Sequence, residues 1–328
     1  MKILTPIQIA VLVLGAAGII SCASPRKGPP SLPEARIPGI NRTFRPGDIV
    51  DLHRGEAISF ETLLQRIAPH DVVYIGEVHD QPEHHLIQVQ ILQGLMEQGG
   101  PVTVAMEAFR RHHQEALDRH LSGAASEEEF LEEVDWDSTW GFPYHFYRPL
   151  ISLARENKAP VLAMNVPQDL VRKVAREGLE ELTEKERGQL PEEIDLKDRA
   201  HREYVRKAYG RHDQKEIPEF EYFYQAQCVY DETMAEVISS RLEAEGGYRP
   251  KVAAFVGNGH LAYRFGIPRR VFRRTRASQV VILPYPVGAQ TELETETADF
   301  LWLTSPGGFR GGNRIGHRQA MGPFYERE

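Results

Sequence analysis

The clearest hydrophobic pattern in the chain predicts a buried strand, then a polar loop, then a helix. Residues 72–75 are β-branched or aromatic without polar alternation, which is typical of a strand covered on both faces of a parallel sheet. Gly76 ends this run, and Pro82 suits the first turn of a helix with a broad apolar stripe. Glu77 and His79 therefore lie just beyond a strand end, where open parallel sheets bind ligands.

The same alternation of short apolar runs and amphipathic stretches continues and predicts an α/β fold, with a mainly parallel sheet flanked by helices. Charged helical stretches around 110–150 and 170–245 predict a smaller helical subdomain. The other strands are predicted at 102–106, 161–164, 252–256, 280–283 and 300–303.

Polar residues follow several of these strands directly. Right-handed crossovers bring the carboxyl ends of parallel strands to one edge of a sheet, so we expect these residues to converge. They are Glu77, His79, Glu107, Asn165 and His260.

This set of side chains fits two kinds of chemistry. Carboxylates and imidazoles bind a divalent metal, and they also serve as a general acid and base, with Asn165 as the orienting group. Spacing alone does not choose between the two, nor does it identify a metal. An isolated Gly-Glu-x-His motif is a solvated loop as often as it is part of a functional site. The recurrence of polar residues at the ends of other strands favours the site.

The most aromatic stretch of the chain covers residues 136–149. Two interpretations stay open: it clamps two parts of the fold together, or it forms the wall of a slot for a flat ligand.

Residues 1–21 have the pattern of an export signal, since Lys2 is their only charge and an apolar segment follows. The segment is short for a membrane span. Cys22 follows a small residue and a branched aliphatic one, which resembles the bacterial lipobox whose cysteine becomes lipidated. An ordinary signal peptide cleaved nearby is the alternative. A diacylated cysteine would hold the protein on a membrane without spanning it.

Proline content and composition complete the outline. Residues 22–47 are rich in proline and predict an extended tether, residues 48–305 the main domain, and residues 306–328 a loose tail. The chain has 328 residues and a net charge of -8, which argues against a nucleic-acid partner because phosphate backbones require a basic face. It has 2 cysteines, so lipidation of Cys22 leaves Cys228 without an internal disulfide partner.

Several motifs in order resemble the ChaN family of haem-binding lipoproteins, in the Tiki-like superfamily. The resemblance covers roughly residues 50–305. Its elements are Gly76 to Asp80, Met106-Glu107, Trp140 to Pro149, Ala163 to Asn165, Gln227, Asp231 to Ala235, Gly257 to His260 and Gly266 to Pro268.

The resemblance implies a lipid-anchored protein that binds haem for iron uptake, with haem or a haem-transfer protein as partner. It also implies attachment to a membrane of the bacterial cell envelope, the outer membrane being favoured, and it leaves a homo-oligomer open. A haem site needs an axial ligand and cations for the propionates. Tyr147 is the choice for the axial ligand, and the other candidates are Tyr144, Tyr263, His145 and His260. The candidate partners of the propionates are Arg148, Arg264 and Arg269.

The superfamily also contains hydrolases, so whether the protein is an enzyme stays open. The alternative function is a hydrolase, with or without a metal, that uses the residues predicted at the strand ends.

Overall fold

The computed structural model describes residues 33–210, 219–243, 250–288 and 293–307. The predicted signal peptide, Cys22 and residues 308–328 lie outside the described residues. In the ranges that are described, no helix is long and apolar enough to cross a membrane.

The strands form one large sheet and one small one. The small sheet pairs the first two strands antiparallel. The strands are β1 (Ala35–Arg36), β2 (Thr43–Phe44), β3 (Ile49–Asp51), β4 (Glu56–Ile58), β5 (Val72–Glu77), β6 (Val102–Arg110), β7 (Val161–Asn165), β8 (Lys251–Gly257), β9 (Gln279–Pro286) and β10 (Phe300–Thr304).

The large sheet is mixed but mainly parallel, as predicted. Its order is β4-β3-β10-β9-β5-β8-β6-β7. All pairs from β10 to β7 are parallel, and the β3–β4 hairpin adds an antiparallel edge through β10. The parallel strands therefore end at one edge of the sheet, and β5 and β8 are the central pair of the six parallel strands.

Helices cover both faces of this sheet. Short 3₁₀ turns connect some of them, notably Asn258–His260 and Ala262–Arg264 after β8. The α-helices are α1 (Phe60–Ile67), α2 (Pro82–Glu97), α3 (Gln114–Ser122), α4 (Glu127–Glu133), α5 (Trp136–Thr139), α6 (Arg148–Glu156), α7 (Gln168–Glu177), α8 (Glu184–Arg187), α9 (Arg199–Tyr209), α10 (Phe220–Leu242) and α11 (Ile267–Thr275).

The core has two layers, one on each face of the sheet. Alternate residues of β5 supply both layers: Val73 and Ile75 pack with α1 to α6, and Val72 and Tyr74 pack with α7, α9, α10 and α11. The uninterrupted apolar run follows from this arrangement, because a strand covered on both faces has no position for an exposed polar side chain.

Two boundaries differ from the sequence prediction. Part of the predicted tether, residues 33–47, packs on the domain, because Ile37 and Phe44 are buried in the core. The strand predicted at 102–106 is longer than expected, because β6 continues past Glu107 through the buried Ala108 and Phe109 to Arg110.

A test of the packing at the sheet centre is Gly76→Ala. A Cβ atom at Gly76 would lie 2.0 Å from Asn258 Oδ1 and 2.8 Å from Leu283 Cδ2. The Asn258 amide donates to the Pro284 carbonyl at 2.9 Å and cannot move without losing that bond. We expect the free energy of unfolding to fall by about 1–3 kcal/mol, measured by denaturant titration.

The matched control is Gly210→Ala. Gly210 has φ -61, and the nearest atom to a Cβ atom on it would be 3.8 Å away, so the alanine fits without strain. It should leave stability unchanged or raise it by about 0.5 kcal/mol. Equal effects of the two substitutions would contradict the close contact at Gly76.

Candidate functional site

All five polar residues predicted at strand ends lie at the carboxyl edge of the large sheet. Glu77 ends β5 and Asn165 ends β7. Glu107 lies near the end of β6, where the register against β7 shifts between Met106 and Arg110. His79 and His260 follow β5 and β8 directly. Glu77 pairs in register with Gly257 of β8, so the two central strands deliver their polar ends side by side.

Glu77 is the centre of the first group. It is buried, and its Oε1 lies 2.5 Å from Nδ1 of His79. The Tyr147 hydroxyl donates to the same oxygen at 2.8 Å, and the Gln88 amide donates to Oε2 at 2.7 Å. Burial by itself raises the pKa of Glu77, but the nearby imidazoles of His85 and His79 outweigh it and lower this pKa to about 2. Glu77 is thus a stable carboxylate that orients His79.

His260 is the centre of the second group. Its Nδ1 lies 2.7 Å from Asp231 Oδ1 and 3.0 Å from the amide of Gln227, both on α10. Its Nε2 lies 3.4 Å from Glu107 Oε1. Burial disfavours a charged imidazole, yet the carboxylates of Glu107 and Asp231 raise the pKa of His260 to about 10. This imidazole is therefore a buried cation at neutral pH.

Glu107 joins the two groups. Its Oε2 accepts a hydrogen bond from the Gly257 backbone N–H at 2.6 Å, and Asn165 donates to its backbone carbonyl at 3.0 Å. A Cβ atom on Gly257 would lie 3.2 Å from His79 Nε2 and 3.5 Å from Glu107 Oε2. The absence of a side chain there lets the imidazole of His79 approach the carboxylate of Glu107.

His79 is the member of the cluster that reaches solvent. Its side chain is 11% exposed, against 3% or less for Glu77, Glu107 and His260. Trp140 and Phe142 flank its ring, with ring centroids 4.9 and 5.0 Å away. An oriented imidazole at the mouth of a buried polar cluster is suited to donate or accept a proton. Burial opposes its charge, but Glu77 raises the pKa of His79, which favours the acid role.

The residues proposed for haem occupy two places. The first is the aromatic segment, where Tyr147 is buried against Glu77. Tyr144 packs edge to face on Trp136, and Arg148 lies over the Tyr144 ring while pairing with Glu127. The second place is the turn after β8, which carries Tyr263 and Arg264.

That turn is more exposed than the aromatic segment. Tyr263 and Arg264 are both partly exposed and both have positive φ, 56° and 59°. The Tyr263 ring stacks on Phe265, with centroids 5.4 Å apart, and Tyr204 meets it edge on. Arg264 pairs with Asp299.

Sequence reasoning missed three residues of the site. His85 and Gln88 lie on the buried face of α2, and His85 Nε2 is 3.0 Å from the backbone carbonyl oxygen of His79. Arg110 lies at the end of β6 and is 1% exposed. The sequence contained a signal for the two residues of α2. His85 and Gln88 are polar residues on an otherwise apolar stripe of the helix that follows the loop of Glu77 and His79.

A metal has no support in this arrangement. Among the residues that the structure describes, no group of three or more His, Cys, Asp or Glu side chains is placed to hold a metal ion.

The charge on His260 predicts a pH dependence of stability. Its pKa is raised above the ordinary value of 6.5, so its contribution is complete below pH 6.5 and is lost as pH rises through about 10. The free energy of unfolding of the protein should fall over this interval more steeply than that of His260→Gln. Denaturant titrations at several pH values measure the difference.

A direct readout covers the case in which His260→Gln does not fold. In the intact protein the imidazole signals of His260 should titrate far above neutrality by NMR. Titration near 6.5 would contradict the buried ion pairs.

Comparison with known proteins agrees with the resemblance in the sequence. Residues 63–271, more than half of the chain, match the family described as haem-binding uptake, Tiki superfamily, ChaN. Among curated proteins, RETICULATA-RELATED 5, chloroplastic, of Arabidopsis thaliana is 27% identical over 253 residues, which is 71% of this chain and 34% of that protein. The chain thus spans about a third of the length of that relative.

A solved structure shows the same fold. The structure described as cofacial haem binding to ChaN of Campylobacter jejuni has a TM-score of 0.60 and 20% identity, over 77% of this chain and 95% of that one. A mutant erythromycin esterase in its open conformation gives a TM-score of 0.47 and 15% identity, over 74% and 77% of the two chains. With its parallel sheet, its strand-end residues and the match over residues 63–271, the chain belongs to the ChaN family of the Tiki superfamily.

Proposed function

We propose that this protein binds haem and takes part in haem or iron uptake. The observation that carries the proposal is the family match over residues 63–271, which includes the strand-end cluster, the aromatic segment and the turn after β8. The fold likeness to a ChaN protein described with bound haem is in keeping with it.

The accessibility of the tyrosines decides which of them best fits as axial ligand. An axial ligand must present its oxygen to iron in a bound macrocycle. The Tyr147 hydroxyl is inside the fold and is used by Glu77. Burial raises the pKa of Tyr147 far above its usual range, and the carboxylate of Glu77 raises it further. Iron at Tyr147 would require the loss of this buried hydrogen bond, so Tyr147 fits poorly.

Tyr263 fits better. Burial and the neighbouring Glu294 raise its pKa too, and its hydroxyl has Thr297 as a neighbour, but unlike Tyr147 it is partly exposed. Its ring continues into Phe265 and Tyr204 to give an aromatic surface that suits a flat ligand. Two successive non-glycine residues at positive φ cost free energy, and such strain is concentrated at ligand sites. Arg264 and Arg269 are nearby cations for propionates, although they already pair with Asp299 and Asp198.

Haem would supply the iron chemistry when bound, and the chain's own residues would supply the surface that receives it. In this proposal Tyr263 would provide the oxygen ligand, the rings of Phe265 and Tyr204 would give an apolar surface for the macrocycle, and Arg264 and Arg269 would pair with its carboxylates.

The test is haemin titration followed by absorption, comparing Tyr263→Phe with Tyr147→Phe. The purified protein should give a saturable Soret change with the high-spin ferric spectrum of tyrosinate ligation. Tyr263→Phe should change that spectrum and lower affinity modestly, because the aromatic surface remains. Tyr147→Phe should leave the spectrum unchanged and lower stability, because Glu77 loses a buried partner.

Two results would count against this choice. A spectrum altered by Tyr147→Phe and untouched by Tyr263→Phe would return the ligand to the aromatic segment. A protein that gives no saturable Soret change with haemin would contradict haem binding itself.

We propose lipid attachment at Cys22 as part of the same function, supported by the lipobox-like sequence and the proline-rich residues behind it. The protein would then be tethered to a bacterial envelope membrane, the outer membrane being favoured, and would pass haem to or from a transfer protein. Cys22→Ser should abolish incorporation of labelled fatty acid and release the protein from membranes. Labelling that persists in Cys22→Ser would refute the anchor.

A second candidate function is hydrolysis with His79 as general acid or base. The observation that favours it is the position of His79. The buried Glu77 orients its ring, and the ring reaches solvent between Trp140 and Phe142. Ester hydrolysis that is lost in His79→Gln, in a protein without a haemin response, would replace the first proposal by this one.

A further inference from the structure

Arg110 is a buried cation whose hydrogen bonding is incomplete. It ends β6, and its side chain is 1% exposed. Nη2 donates to the backbone carbonyl of Thr139 at 2.8 Å. Within the described ranges, Nε and Nη1 have no acceptor. Buried charged donors without a partner cost free energy. Native proteins therefore ordinarily supply a hydrogen-bond acceptor for such N–H groups, from the protein, a ligand or water.

The neighbouring carboxylate does not fill this gap. Glu107 is directed at the Gly257 N–H and at His260, and it forms no ion pair with Arg110. Burial lowers the pKa of Arg110, and the positive charge of Arg172 lowers it further. Tyr230 and Glu107 act in the opposite direction and raise this pKa.

Another buried arginine shows what compensation looks like in this fold. Arg270 is 3% exposed, and it lies 3.1 Å from a carboxylate oxygen of Glu232 and 3.8 Å from one of Asp231. Burial opposes the charge of Arg270, but these carboxylates raise its pKa. Arg270 Nε, like Arg110 Nε, lacks a well-aligned hydrogen-bond acceptor, but carboxylates lie beside it. Arg110 has the same burial, and among the described residues no carboxylate lies within ion-pair distance of its guanidinium. This difference separates an arginine held by the fold from one available to a ligand.

The position of Arg110 relates it to the mouth of the cluster. Its guanidinium carbon lies 5.9 Å from the centroid of the Trp140 ring, and the same ring is 4.9 Å from that of His79. A group bound at Arg110 would therefore lie one aromatic ring away from the solvent-reaching imidazole.

We propose that Arg110 receives an oxyanion, a carboxylate or phosphate group of a ligand that enters beside Trp140. Guanidinium N–H groups form strong, charge-assisted hydrogen bonds to such groups, and a desolvated setting strengthens them. The oxyanion is either a propionate of haem or a small free anion, and the inference holds for either source. It does not depend on the haem proposal, because the free anion can be tested alone.

The first experiment measures binding of inorganic phosphate and of acetate to the purified protein by calorimetry, at constant ionic strength with chloride as the balancing anion. At least one of them should bind saturably. Arg110→Met should weaken that binding about tenfold or more, the loss typical of one charge-assisted hydrogen bond. Methionine is apolar and similar in length, so replacing an unpaired buried charge by it should preserve folding.

Arg111→Met is the matched control. Arg111 is the next residue, but it pairs with Glu236 and donates to the Thr233 carbonyl at 3.0 Å, so its charge is already satisfied. It should retain the anion response. Arg110→Lys adds a second variant that keeps the charge and removes the guanidinium, and it should bind the anion more weakly than the unchanged protein.

The second experiment distinguishes the sources. Haemin and haemin dimethyl ester differ in whether the propionates are free. A preference for haemin that disappears in Arg110→Met assigns the oxyanion to a propionate. An Arg110-dependent response to phosphate or acetate, with equal binding of haemin and its ester, assigns it to a small free anion.

The inference is overturned if no response in either experiment depends on Arg110. That result would mean that Nε and Nη1 are satisfied within the protein by water. A protein that binds no haem at all would end the haem proposal, and the phosphate and acetate titrations would still decide the role of Arg110.

Discussion

The burial of carboxylates at the carboxyl edge of the sheet is the constraint on which the rest of the site depends. Glu77, Glu107 and Asp231 are nearly inaccessible, and an isolated buried carboxylate is too costly to remain charged. Each is stabilised by an imidazole: His79 for Glu77, and His260 between the other two. The pairing keeps all three ionised, and it fixes the positions of both imidazoles relative to strands β5, β6 and β8.

The same constraint connects the helical part of the chain to the sheet. Asp231 is on α10, yet its partner His260 follows β8. Its second oxygen lies 3.4 Å from Nε2 of His201 on α9 and 3.8 Å from Nη1 of Arg270 on α11. The helices predicted around 110–150 and 170–245 thus lie in the two layers of the fold and do not form a separate subdomain. Those of the second range are tied to the site by the contacts of Asp231 as well as by the apolar core.

Access divides the functional residues into two classes. Tyr147, Glu77 and Asp231 support others from inside, since their polar atoms are used by neighbours. His79 and Tyr263 present polar groups nearer to the surface. A ligand meets the second class first. Their surroundings differ: an oriented imidazole lies at one place and an aromatic surface at the other. This difference is the physical basis of the two proposed functions, acid–base chemistry at His79 and haem binding at Tyr263.

The sequence by itself determined the sheet and the residues at its edge. Apolar runs without polar alternation indicate strands covered on both faces, and right-handed crossovers bring the carboxyl ends of such strands together. The residues at this edge could therefore be found from their spacing alone: Glu77, His79, Glu107, Asn165 and His260. The family was also within reach, because its motifs lie in these same turns.

Only the tertiary structure decided what each side chain does. Burial is not visible in a sequence, so the sequence could not show that the Tyr147 hydroxyl is buried and donates to Glu77. The pairing of Asp231 with His260 and the unpaired atoms of Arg110 depend on contacts between residues far apart in the chain. Such contacts follow from how helices pack on the sheet, and local patterns of polarity carry no information about them.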